Sequence, residues 1–300
     1  MSRHEAAFPL SEAVAVRVAG RLGMAFFLDV LRISCDGRDL LDGLILLTVG
    51  HANTEHLDRD GSAGGLFDRY DHIPDAGLLR PISISALANS LGQPFETVRR
   101  RSRALVDEGA CIQTAKGLTL PADAFVSDRA RGTIFAINQK VRGLQLGLSS
   151  LGLLPTVAPA DSVLMRPRRV ARLAVNYCLR QLEAMTAHID DPTVGVVLIQ
   201  VIRTTTEHLD DTYTEFSETE DLVRDDLRRP ASAAWLASRV GLPGETVRRH
   251  LNRLQAQGWV ARATGGYFLT REMLRAPPWP QARRDNVVNL NRLFASLSAG

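Results

Sequence analysis

Three hundred residues, 45% hydrophobic and 23% charged, describe a globular chain with room for two domains of ordinary size, and exclude a disordered or collagen-like polymer. A net charge of +3 and a sequence pI of about 9.0 permit a polyanionic partner without demanding one. Three scattered cysteines without metal-like spacing, a start lacking the apolar core of a signal peptide, and no run of eighteen purely apolar residues lead to the expectation of a cytoplasmic protein with no membrane partner.

Taken in chain order, apolar residues at three- and four-residue steps (Val14, Val18, Leu22, Phe26) predict a helix over 11–33. A second helix, over 38–57, is apolar around most of its middle from Leu40 to Val49, the pattern of a buried helix. A Gly-rich polar connector leads to residues 81–120. There Ser83 or Ser85 can cap a short helix ending at Leu91, and Gly92 allows a sharp turn. Pro94 suits the first turn of the following helix, and Glu96 lies where the helix dipole favours an anion. Val98, Ser102 and Leu105 share one face of that helix, and Gly109 ends it. Two strand-like runs flank Lys116-Gly117, a hairpin signal. A further helix is expected over 127–147, and the uncharged stretch 143–160 reads as a helix end followed by a linker.

The second half repeats this order, with helices expected over 165–188 and 193–209, an acidic connector at 210–229, the block 230–269 and a last helix over 281–298. Residues 81–120 align with 230–269 at a shift of 149 without a gap, and fifteen of forty positions are identical. Outside the blocks, Arg17-Val18-Ala19 recurs as Arg169-Val170-Ala171, Asp39 and Gly43 recur as Asp191 and Gly195, and TEHLD at 54–58 recurs at 206–210, all shifted by 152. Arg131 and Asn138 match Arg284 and Asn291 at a shift of 153. The chain therefore divides into a first repeat, 1–152, and a second, 153–300. The expected fold class is mostly α with small β-hairpin wings.

At the spacing Ala88, Gly92, Val98 and again Ala237, Gly241, Val247, the two blocks resemble the winged helix-turn-helix of bacterial transcription regulators. The run GETVRRHLNRLQAQGWV is most similar to DeoR-type and MarR-type recognition helices. The resemblance implies two tandem winged units on a shared helical core related by a pseudo-two-fold, with terminal helices that interlock. It also implies room for a small-molecule effector between core and wings, and the option of a homodimer. Recognition helices present side chains to the major groove. With Val98 and Leu105 turned inward, the outward residues are Glu96, Arg99, Arg100 and Arg103; in the second copy they are Glu245, Arg248, Arg249 and Asn252. Arg reads guanine and Asn reads adenine through paired hydrogen bonds. Thr97 and Thr246 suit phosphate contact or local bonding, and Lys116 and Arg262 lie near the wing tips. The plain alternative for these arginines is a solvated helix face; their recurrence in two matched frames favours DNA.

Two departures from the family pattern stand out. Arg101 and His250 occupy a position usually apolar, and the first copy has Gln93 and Ser102 where the second has Leu242 and Leu251. The second copy keeps the pattern better, so the two halves are expected to read different bases.

TEHLD offers a metal or proton-relay site or, preferred here, a helix-end cluster of ion pairs at an interface. Trp235 and Trp259 are expected in the core. No nucleotide loop, nucleophile elbow, C-x-x-C or H-E-x-x-H is present, so no catalytic residue, cofactor or metal is assigned. The expectation is a regulator that binds double-stranded DNA as an intramolecular pseudo-dimer on an imperfect palindrome, with half-sites about one turn (~34 Å) apart. Alternatives are a tandem winged-helix replication initiator or partition protein, and a winged-helix module for protein contacts.

Overall fold

The first repeating feature is a long helix whose small and apolar residues face inward. In the computed structural model, which describes residues 12–58, 65, 67–70, 75–154, 166–209 and 222–298, this is α1, Glu12–Cys35. Helix α2, Leu40–Thr54, follows a turn in which Asp39 caps the helix by accepting from the Leu41 N–H at 3.0 Å. The remaining elements of the first half are α3 (Ile84–Leu91), α4 (Phe95–Asp107), β1 (Ile112–Thr114), β2 (Gly117–Thr119), α5 (Asp123–Val126) and α6 (Asp128–Ser150). The second half brings the same order: α7 (Pro167–Thr186), α8 (Pro192–Thr204), α9 (Ala233–Val240), α10 (Gly244–Ala256), β3 (Ala261–Ala263), β4 (Gly266–Phe268), α11 (Arg271–Arg275) and α12 (Trp279–Ser298). The molecule is mostly helical with two small antiparallel hairpins.

The four long helices α1, α6, α7 and α12 form a central bundle in which the halves interleave. Helix α1 packs on α6 of its own half and on α12 of the other; α7 packs on α12 and, across, on α6. The second helices reach across as well, α8 against α1 and α2 against α7. One hydrophobic core runs through both halves, from Phe27 and Leu44 to Val197 and Leu293. Fully burying one such side chain contributes roughly 1.5–3 kcal/mol, so this shared core dominates the stability.

TEHLD lies at this crossing. Arg172 of α7 donates to Asp58 at 2.6 Å, and Arg21 of α1 donates to the carbonyls of Thr206 and Leu209 at 3.0 and 2.7 Å. Each copy of the motif is thus gripped by an arginine from the opposite half, as an interface cluster. Among the described residues no group of three or more His, Cys, Asp and Glu is placed to hold a metal ion. No helix among them is long and apolar enough to cross a membrane.

One sequence match needs correction. Asn138 is buried and donates to the Pro167 carbonyl at 2.9 Å, whereas Asn291 is exposed. The buried residues of α6 (Ile137, Val141, Leu144, Leu148) instead align with those of α12 (Asn286, Leu290, Leu293, Leu297) at the shift of 149 found in the blocks. The match at 153 is a chance coincidence of identities.

Candidate nucleic-acid interface

Each helix-helix-hairpin unit is built by the same local devices. Ser83 and Ser232 cap the first helix by accepting from Ala86 N–H and Trp235 N–H at 3.1 and 3.2 Å. Gly92 and Gly241 end it in the left-handed region, φ 60° and 76°. Pro94 and Pro243 sit one residue before α4 and α10, as N-caps without a side-chain bond, rather than inside the first turn. The hairpins close at Ala115-Lys116 and Thr264-Gly265. A third segment pairs with each hairpin, Ile82 with Leu118 and Ala231 with Tyr267. That pairing explains Gly117 and Gly266, where a Cβ would overlap the carbonyls of Ile82 and Ala231.

Both units are fastened to the core through the second helix of their half. Asn53, fully buried in α2, donates to the carbonyls of Arg80 (2.8 Å) and Leu118 (3.2 Å) and accepts from the Leu120 N–H (2.9 Å). Its counterpart Thr205 spends its hydroxyl within α8, on Val201, and receives only the Arg229 N–H at its carbonyl.

The departures at Arg101 and His250 have a structural reason. Arg101 donates to Asp39 and Asp42 at the start of α2, at 2.8 and 2.9 Å. Burial works against its charge, but the Asp42 and Asp39 carboxylates raise its pKa above the usual arginine value. His250 is buried within electrostatic reach of Asp191, the counterpart of Asp39. Burial lowers its pKa, and Asp191 opposes that shift while Arg249 and Arg253 add to it. The position is therefore a polar contact between α4 or α10 and the N-terminus of the second helix. Gln93 is half-buried where Leu242 is buried, and the Ser102 hydroxyl is buried without a partner where Leu251 fills the core.

The outward residues fall as expected. Glu96, Arg99, Arg100, Arg103 and Lys116 are exposed and Thr97 is half-buried. In the second unit Glu245, Arg248, Arg249, Asn252 and Arg262 are exposed and Thr246 is half-buried. Arg99 bonds Glu96 at 2.7 and 2.9 Å, and Arg248 approaches Glu245 at 3.7 Å, both pairs one helical turn apart. The side chains of Arg100, Arg103, Arg249 and Lys116 make no hydrogen bond or ion pair among the described residues. Lys116 is in the first hairpin turn. Arg262 lies in β3, two residues before the turn of the second hairpin and opposite Tyr267, its guanidinium 5.8 Å from that ring centre. The Tyr267 hydroxyl lies 3.5 Å from Asn252 Oδ1, so β4 helps to orient Asn252.

Trp235 was expected in the core and is not there. It is 50% exposed, with Arg239 5.7 Å from its ring centre. The Ser232 cap fixes the phase of α9 so that Leu236 and Ala237 face inward, which turns Trp235 out. Trp259 is half-buried, edge-on to Trp279 at 5.4 Å. The sequence carried no sign of Trp235 as a surface residue except its place one step before Leu236.

Comparisons of the chain with protein-family models, with curated proteins and with solved structures returned no match.

Proposed function

We propose that the chain is a sequence-specific regulator of transcription that binds double-stranded DNA through two tandem winged helix-turn-helix units, acting as an intramolecular pseudo-dimer on an imperfect palindrome. The observation that carries this reading is the recurrence of Glu-Thr-Val-Arg-Arg at the start of α4 and of α10, with Val98 and Val247 buried and the paired arginines turned to solvent. A solvated helix face has no need to repeat both identity and phase. The helix N-terminus adds its dipole to the guanidinium charges, which favours phosphate. Beyond the shared Glu-Thr-Val-Arg-Arg, the first differing position that is exposed in both copies is Arg103 against Asn252. Arg favours guanine and Asn favours adenine, so the half-sites differ there.

Selection of bound fragments from random or genomic DNA, followed by footprinting, tests the reading. The expected outcome is two protected half-sites of related but unequal sequence, with affinity falling steeply as salt rises. Protection of a single half-site refutes the pseudo-dimer, and absence of salt-dependent binding refutes the DNA reading. In that last case the exposed Phe95 and Ile112 on the first unit favour a surface for protein contact instead.

A further inference from the structure

Helix α6 carries residues that the fold does not use. Its inward face, with Ile137, Val141, Leu144 and Leu148, packs within the chain on α1 and α7. On the opposite face Gly132, Phe135, Gln139, Gly143 and Leu146 are all exposed. Phe135 is 60% and Leu146 66% exposed, the highest values among the large hydrophobic residues described. A Cβ added to Gly132 or Gly143 meets nothing within 4 Å, and neither glycine has a positive φ. Packing inside the chain therefore requires neither. Glycine also weakens a helix interior relative to alanine, so the helix itself does not favour them.

The order of these residues is symmetric. Successive members are three, four, four and three positions apart, which sets them in one stripe. Phe135 and Gly143 lie four positions either side of Gln139, and Gly132 and Leu146 lie seven either side. Packed antiparallel against a copy of itself, with a two-fold at Gln139, each large side chain faces a glycine of the other copy. Phe135 faces Gly143, Leu146 faces Gly132, and Gln139 meets itself. A carboxamide both donates and accepts, so Gln139 suits a position on the two-fold. The same register sets Arg131 opposite Gly147 and Arg142 opposite Ala136, so neither arginine meets a like charge head-on.

The equivalent helix of the second half lacks this pattern. At the shift of 149 found for the buried faces, α12 has Gln281, Arg284, Val288, Arg292 and Ala295. Two arginines stand where Phe135 and Gly143 stand. Each chain thus carries one such stripe. A self-complementary contact through a single patch closes as a dimer and does not grow into a filament.

We propose that the outer face of α6 is the docking surface for a second copy of this chain, the two helices antiparallel about Gln139, with Phe135 and Leu146 seated over Gly143 and Gly132. This contact is separate from the interleaved bundle, which joins the two halves of one chain through the other face of α6. The stripe is about 21 Å long at ~1.5 Å per residue. A contact of that length and one helix wide is at the low end of interface sizes, so the dimer dissociates reversibly at micromolar concentration. The contact does not depend on the proposed function. On that reading one chain still grips one site, and the pair holds two.

Sedimentation equilibrium of the full chain without DNA tests the contact. The mass is expected to rise from 32.8 kDa toward twice that value across the micromolar range. Gly143→Phe sets one phenyl ring against another, and Phe135→Gly leaves glycine against glycine, so each alone is expected to weaken pairing at least tenfold. Together they again set a large side chain opposite a glycine, and pairing is expected to recover. Gly143→Gln fills the same space with a polar chain and a better helix former, so it is expected to fold and to remain monomeric. Thermal melting checks the fold of each variant. A parent that stays at 32.8 kDa up to high micromolar concentration overturns the proposal, as does a folded Gly143→Gln that pairs as tightly as the parent. A double variant that pairs no better than the single ones overturns the antiparallel register about Gln139.

Discussion

Replacing Asn53 by alanine isolates the bond between a core helix and the first helix-hairpin unit. The side chain makes three hydrogen bonds to backbone from a fully buried position. Its loss leaves the Leu120 N–H and the Arg80 carbonyl without this partner, while the Leu118 carbonyl keeps the Ile82 N–H at 3.1 Å. An orphaned buried polar group costs about 1–3 kcal/mol. Arg80 is exposed and Leu120 half-buried, so water reaches part of the deficit, and about 2–4 kcal/mol in all is expected. In a chain somewhat above the 150–250-residue range, each kcal/mol lowers the melting temperature by about 2–4 °C, giving a drop of roughly 4–16 °C. Urea denaturation measures the free energy, and amide exchange at Leu120 reports whether the loss is local. Thr205→Val is the internal control, because that hydroxyl only bonds back to its own helix, and a cost below about 1 kcal/mol is expected there. An Asn53→Ala variant within about 0.5 kcal/mol of the parent, with unchanged exchange at Leu120, would show that the unit is held by packing alone.

Three other outcomes follow from the same geometry. Arg249→Ala is expected to weaken the preferred DNA site by about 1–3 kcal/mol if the guanidinium reads a base, and to lower affinity evenly across sequences if it contacts phosphate; titrations against specific and scrambled duplexes separate the two. Ser102→Ala removes a buried hydroxyl that has no partner, and stability by urea denaturation should rise by about 1 kcal/mol or stay level; a loss above about 1 kcal/mol would mean the hydroxyl is bonded. The folded-state pKa of His250 lies below its ordinary value of 6.5, so the unfolded chain protonates first. Its contribution is therefore intact above about pH 6.5 and is lost as pH falls from there through the folded pKa. His250→Leu should be less sensitive than the parent between about pH 7.5 and 5.5, and equal slopes in denaturation at the two pH values would contradict this.

The order of elements was legible because repetition doubled every local signal. Ser83 and Ser232 mark the same cap, and Gly92 and Gly241 mark the same turn. The outward face of α4 followed from Val98 and Leu105, since a helix phase is fixed by two inward residues. What stayed hidden depends on which elements meet. Nothing near Arg101 says that it points at Asp39 and Asp42, some sixty residues earlier, although the recurrence of Asp39 as Asp191 was a clue to a shared contact. Trp235 misled because tryptophan is highly buried on average, whereas its own exposure is set by a serine three residues away.

The interleaved bundle has a consequence for dilution. Two-chain regulators must find each other before they can grip two half-sites, and at low copy number many are apart. Here α1 packs between α6 of its own half and α12 of the other, so the two halves are present at a fixed ratio of one to one however few molecules a cell holds. Their mutual encounter is intramolecular, with an effective concentration set by the tether rather than by expression. On the proposed reading, occupancy of a DNA site then follows a simple hyperbola in protein concentration, with no threshold from assembly.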